Sequence, residues 1–142
     1  MSGANVPIVE GKGEVESVRV LLDRVLSDLG AHTVGVARPF RVKRNRVVQA
    51  SELERAIWQA VRERKNAASI LVLLDADDGC PAELGPRLLE RCRIATRLPV
   101  GVVLATREFE AWFLGAKESL RGVRGIRAQA EAPRDPESIR GA

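Results

Sequence analysis

Ile70-Leu71-Val72-Leu73-Leu74-Asp75-Ala76-Asp77-Asp78-Gly79 is the stretch whose reading decides the fold. Five apolar residues run without a break and end in three carboxylates and a glycine. Such a run reads as a fully buried strand of a parallel sheet. In open α/β sheets, ligands bind beyond the carboxyl ends of the strands. Asp75 and Asp77 therefore emerge where a ligand would sit. Residues two apart in extended chain point the same way, so both carboxylates can face one point. Two carboxylates held together repel unless a cation joins them. A hard divalent ion with oxygen ligands, Mg²⁺ or Mn²⁺, is the simplest such partner. An ordinary turn accounts for Asp and Gly after a strand equally well, and a second acidic stretch is needed to separate the two.

The flanking sequence alternates strand and helix. Val6-Pro7-Ile8-Val9 is a short first strand, followed by Glu10-Gly11-Lys12-Gly13-Glu14. A helix over about 14–29 carries Val15, Val18, Leu21, Leu22, Val25, Leu26 and Leu29 on one apolar face, with Gly30 as its stop. His32-Thr33-Val34-Gly35-Val36-Ala37 reads as a second strand that Pro39 ends. Ser51 and Glu54 form a capping box for a helix to about Lys65. Leu53, Ile57, Ala60 and Val61 form its buried face, and Trp58 beside them reads as packing. The third strand is Ser69 to Leu74. Pro81 opens a helix bearing Leu84, Leu88, Leu89 and Cys92, with Pro86 near its start. Val100 to Leu104 is a fourth strand. Thr106 then caps a fourth helix carrying Phe109, Trp112, Phe113 and Ala116.

This alternation predicts an α/β fold, a four-stranded parallel sheet with helices on both faces and right-handed crossovers. The domain is expected over residues 1–120. Residues 121–142 lose the apolar period and are expected to form an irregular or partly disordered tail.

Composition removes several function classes. The chain has 142 residues, 45% of them apolar and 30% charged, which suits one globular domain. No apolar stretch approaches the length of a membrane span. The first residues, Met1 to Asn5, lack the regions of a signal peptide, so the cytoplasm is expected. Cys80 and Cys92 are too few for a disulfide scaffold or a structural zinc site. Both are expected on the helix after the third strand as small apolar groups. His32 is the sole histidine, which excludes a histidine-based triad within this chain. It reads as a loop or strand-edge residue.

The net charge is +4. Arg38, Arg41, Lys43, Arg44 and Arg46 crowd into one stretch without an acid. A solvated loop and a phosphate-contacting loop fit this run equally well. Lys12 between Gly11 and Gly13 is a further candidate to meet a phosphate, since glycines let backbone approach a ligand closely. The Walker spacing is absent, the dinucleotide fingerprint fails at Glu16, and Pro86 stands where a calcium loop needs its closing glutamate.

Val9-Glu10-Gly11-Lys12-Gly13-Glu14 and Asp75-Ala76-Asp77-Asp78-Gly79, in this order and interval, resemble the two motifs of the Toprim domain. Topoisomerases, bacterial primases, small RNA-maturing nucleases and overcoming-lysogenization-type nucleases share that domain. The resemblance spans residues 6 to about 120 and implies a Toprim/Rossmann-like sheet. Arg107-Glu108-Phe109-Glu110-Ala111-Trp112-Phe113-Leu114 resembles, more narrowly, a bacterial Toprim-like family named only as domain of unknown function 4276. Members usually continue further, so the final elements of the domain are expected to be missing from this chain.

The resemblance implies a Mg²⁺- or Mn²⁺-dependent nuclease in a bacterial defence setting, with nucleic acid as substrate and a protein partner from the same operon system. By it, Glu10 is general acid or base, or a metal ligand. Asp75 and Asp77 bind the metal, and Asp78 is a weaker ligand whose side chain points the other way. Glu14 adds a ligand or starts the first helix, the helix being the favoured reading. Glu110 either approaches the site from the fourth helix or lies on a solvated face. The chain has no tyrosine, which argues against topoisomerase-type covalent breakage. Two other classes stay open: a non-catalytic metal- or nucleic-acid-binding module of a larger complex, and a metal-dependent nucleotidyl or glycosyl transferase. Nothing in the sequence sets the oligomeric state.

Overall fold

A computed structural model of the chain describes residues 3–43, 51–76 and 79–105. The elements in order are β1 (Ala4–Val9), α1 (Lys12–Asp28), β2 (Gly35–Val36), β3 (Phe40–Arg41), α2 (Glu52–Arg62), β4 (Ala67–Asp75), α3 (Pro81–Ala95) and β5 (Val100–Ala105). The strands form one sheet of order β2-β1-β4-β5, with β3 also paired to β1. Every pairing is parallel. The chain is an α/β protein with a Rossmann-like arrangement. The fourth helix and the C-terminal tail expected from the sequence lie outside the described residues.

The sheet has five described strands rather than four because the second strand is broken. β2 meets β1 at Ala4 and Asn5, and β3 meets the same edge at Ile8 and Val9. Pro39 stands between them, with no N–H to donate and a fixed φ. His32 and Thr33 fall in a turn before β2, so the strand starts at Gly35.

Helices cover both faces. Val6, Ile8, Ile70, Val72 and Leu74 pack against Leu53 and Ile57 of α2 and Leu88 and Cys92 of α3. Val9, Leu73 and Ala105 pack on the other face against Val18 of α1, with Val15 and Leu22 beside it. β1 and β4 are buried on both faces, which is why both read as near-continuous apolar runs.

The apolar face of α1 is only partly used. Val18 is buried, whereas Leu21, Val25 and Leu29 are exposed. α1 lies along the β1 edge, and among the described residues nothing covers the rest of its stripe. Its C-terminus closes as expected. Gly30 adopts φ +71, Gly30 N–H donates to Ser27 and Ala31 N–H to Leu26, a Schellman end.

α2 departs from expectation at both ends. Ser51 has φ 69 and makes no side-chain cap. Side-chain capping needs the extended backbone at that position, which Ser51 lacks. Glu54 is drawn elsewhere: Arg91 Nε and Nη2 of α3 donate to its two oxygens at 2.8 and 3.0 Å. The helix ends at Arg62, because Arg64 turns back to donate to the Ala60 carbonyl at 3.1 Å. Trp58 is half exposed rather than core, and its indole N–H clasps the Ala95 carbonyl at 2.8 Å.

The Glu54–Arg91 fork joins α2 to α3 and gives an acid-limb prediction. Hydrogen bonding by Arg91 holds the Glu54 carboxyl below its ordinary value of 4.5. A depressed carboxyl pKa contributes stability fully above the ordinary value and loses it as pH falls through the folded value. Glu54→Gln is expected to cost about 1–2 kcal/mol at neutral pH. The gap from wild type narrows as pH drops below about 4.5. Denaturant melts of both proteins between neutrality and acid check this, and a pH-independent gap would contradict it.

Cys92 is buried as expected, but Cys80 is exposed at the N-cap of α3 rather than in an apolar contact. Burial pushes the Cys92 thiol up to about 11. The thiolate is the reactive form, so a thiol reagent should modify Cys80 alone in the native protein. Both react in denaturant. Two fast thiols in the native state would contradict this placement.

Candidate functional site

The carboxyl edge of the sheet carries both acidic stretches. Val9 pairs with Leu73, so Glu10 and Asp75 leave adjacent central strands within about one residue of each other in register. Asp75 is the last residue of β4, paired to Ala105. It shares the face of Leu73, the side on which α1 begins. Ala76 N–H extends the ladder to the Ala105 carbonyl at 2.8 Å. Gly79 N–H then donates back to the Ala76 carbonyl at 2.8 Å. A Cβ at Gly79 would lie 3.0 Å from that carbonyl and 2.4 Å from Leu84 Cδ1, so only glycine fits without displacement. The extended geometry that aligns residues two apart reaches Asp75. Asp77 and Asp78 lie outside the described residues, as do Arg44, Arg46 and Glu110.

Glu10 follows β1 at a bend and is half-buried. Gly11 is the N-cap of α1, and its N–H donates to the Glu14 carboxylate. A Cβ on Gly11 would meet that carboxylate at 2.6 Å, so glycine here serves the cap. Glu14 is buried in the first turn of α1. Its carboxylate accepts the Gly11 N–H at the start of the helix. The acid in the first turn also suits the helix dipole. Lys12 is exposed at the first helical position, and Gly13 has open space around its Cα. The Gly11–Gly13 pair thus splits into a structural glycine and an open one.

The basic run is not one loop. Phe40 and Arg41 form β3, and Arg38 faces Glu63 at 3.9 Å toward the end of α2. Arg38 is thereby separated from the acidic edge, with an acid beside it that the sequence run lacked. Arg41 is brought to the edge: its Nε donates to the Glu10 carbonyl at 2.9 Å. Lys43 lines a pocket beside it, together with Arg55 and Gln59 of α2.

Sequence reasoning missed Arg64. It is buried, donates from Nε to the Arg38 carbonyl at 2.7 Å, and sits over the Phe40 ring at 5.6 Å. Burial lowers its pKa from the ordinary value. It pins the β2–β3 connection to the end of α2. Arg55 and Gln59 were also missed, and their helical spacing from Glu52 was the available signal.

Among the described residues, no three His, Cys, Asp or Glu side chains converge as a metal cage. Also among them, no helix is long and apolar enough to cross a membrane. A family model described as "Domain of unknown function (DUF4276)" matches residues 9–142. The chain belongs to the DUF4276 family. The match begins one residue before Glu10 and takes in Asp75, Asp77, Asp78 and Glu110, so every acidic candidate lies within the DUF4276 span. No curated protein and no solved structure matches the chain.

Proposed function

We propose that this DUF4276 chain is a Toprim-like, metal-dependent phosphodiester hydrolase that cuts nucleic acid in the cytoplasm. The observation that supports it is the register of Glu10 and Asp75 at the carboxyl ends of the two central strands. The donor set suits Mg²⁺ or Mn²⁺, because carboxylate oxygens are hard ligands. Asp75 and Asp77 would hold the ion, with Asp78 or Glu10 completing the set. Bound there, the ion would polarise a phosphoryl oxygen and ease departure of the leaving oxygen.

The chain's own groups do the rest. Glu10 takes a proton from the attacking water as its oxygen bonds to phosphorus. The bond from phosphorus to the sugar oxygen breaks, and that oxygen takes a proton from solvent. Lys12 and Arg41 flank Glu10 and hold neighbouring phosphates, a positioning role that salt weakens. The chain has no tyrosine for topoisomerase-type covalent breakage, and this reading takes water as the nucleophile. Two free cysteines suit a reducing compartment.

The test is cleavage of plasmid, oligonucleotide and RNA with Mg²⁺ or Mn²⁺. Wild type is expected to cut only with metal, and Asp75→Asn to lose at least about 100-fold. Metal-independent cleavage, or full activity in Asp75→Asn, would overturn the reading. Metal binding without cleavage would point to a non-catalytic module.

A further inference from the structure

The described residues include a pocket of about 330 Å³ beside the acidic edge. It lies between edge strand β3 and the first turns of α2. Its rim carries Arg41, Lys43, Arg55, Glu52 and Gln59. Its floor is apolar, from Phe40, Val42 and Ala56. Three cations thus face one acid. That acid already leans on Arg55, at 3.8 Å. The pocket therefore has an excess of positive charge beside an apolar part of its lining.

This combination suits a group that is anionic at one end and flat and apolar at the other. The volume falls in the range of small-ligand sites. Gln59 donates its amide to Glu63 at 3.0 Å, which leaves its carbonyl oxygen to accept from a base. Phe40 is held by Arg64 over its ring. The pocket is tied to the acidic edge through Arg41, whose Nε bonds the Glu10 carbonyl at 2.9 Å.

We propose that this pocket holds one nucleotide of the substrate strand. Its phosphate lies against Lys43 and Arg55, and its base rests on the Phe40–Val42–Ala56 floor. The assignment rests on the phosphodiesterase reading of the carboxyl edge, to which Arg41 links the pocket through the Glu10 carbonyl. It adds to that reading a site for single nucleotides that works without metal.

The experiment is calorimetric titration of the full chain, without divalent metal, with 5′-AMP, adenosine and inorganic phosphate at one ionic strength. AMP is expected to bind saturably, with adenosine and phosphate each at least about tenfold weaker. Lys43→Ala/Arg55→Ala is expected to weaken AMP by at least about tenfold. Both side chains are exposed, so the fold survives the change. Absence of saturable AMP binding, binding undiminished in the double variant, or phosphate binding as tightly as AMP would each overturn the proposal. AMP binding as expected in a chain that never hydrolyses nucleic acid would retain the nucleotide pocket and sink the phosphodiesterase reading. Metal-dependent hydrolysis without AMP binding would do the reverse.

Discussion

Glu10→Gln is expected to lower phosphodiester hydrolysis by roughly 10²–10⁴-fold, the usual contribution of a positioned acid or base. Glutamine keeps the shape and half of the hydrogen-bonding capacity but cannot take a proton. The backbone around Glu10 is held by groups the substitution leaves alone. Its carbonyl accepts from Arg41, and the next residue caps α1 through Glu14. The variant should therefore fold and bind nucleic acid as wild type does. The measurement is single-turnover cleavage beside an equilibrium binding assay. Full activity in the variant would remove Glu10 from the chemistry. Loss of binding in step with activity would make it a structural or metal-holding group instead.

Arg64→Ala is expected to destabilise the protein by about 3 kcal/mol, more than Glu54→Gln. Two hydrogen bonds to carbonyls vanish, at 2.7 and 3.1 Å. The stacking over Phe40 goes with them, and the carbonyls of Arg38 and Ala60 lose their side-chain donor. For a chain of this size the melting temperature should fall by roughly 10 °C. Lysine should restore little, since a single ammonium cannot serve two carbonyls and a ring in the fork geometry of a guanidinium. Thermal melts of both variants decide it. A drop of less than about 1 kcal/mol would mean the contacts seen at Arg64 are exchangeable with water.

The two effects come from residues of very different legibility. Asp75 and the strand before it could be read because burial on both faces forces an unbroken apolar run, and a carboxylate straight after it stands out. Glu10 could be read because glycines on either side of Lys12 mark a turn. That the two stretches leave neighbouring strands came only from the structure, in the register of β1 and β4. Arg64 could not be read. A charged residue near a helix end reads as solvated, and only the path of the β2–β3 connection gives it carbonyls to meet.

Other misses share that cause. Ser51 and Glu54 have the spacing of a capping box. The competing partner, Arg91, lies 37 residues away and is invisible to a local pattern. The basic run from Arg38 to Arg46 looked uniform because Glu63 and Glu52 approach it only in the folded chain. The stripe on α1 satisfied the helical period over its length, yet among the described residues only part of it meets the sheet. Pattern gives the face of an element, while contact decides how much of that face is used.

The central claim is that the acidic edge holds a divalent ion. A Mn²⁺ titration by calorimetry tests it most directly, on the wild-type chain and on Asp75→Asn/Asp77→Asn, with and without a short oligonucleotide. Saturable binding in the wild type, lost in the double variant, is the predicted result. Equal binding in both proteins, or none in either even with the oligonucleotide present, would contradict the claim and leave the stretch after β4 as a turn.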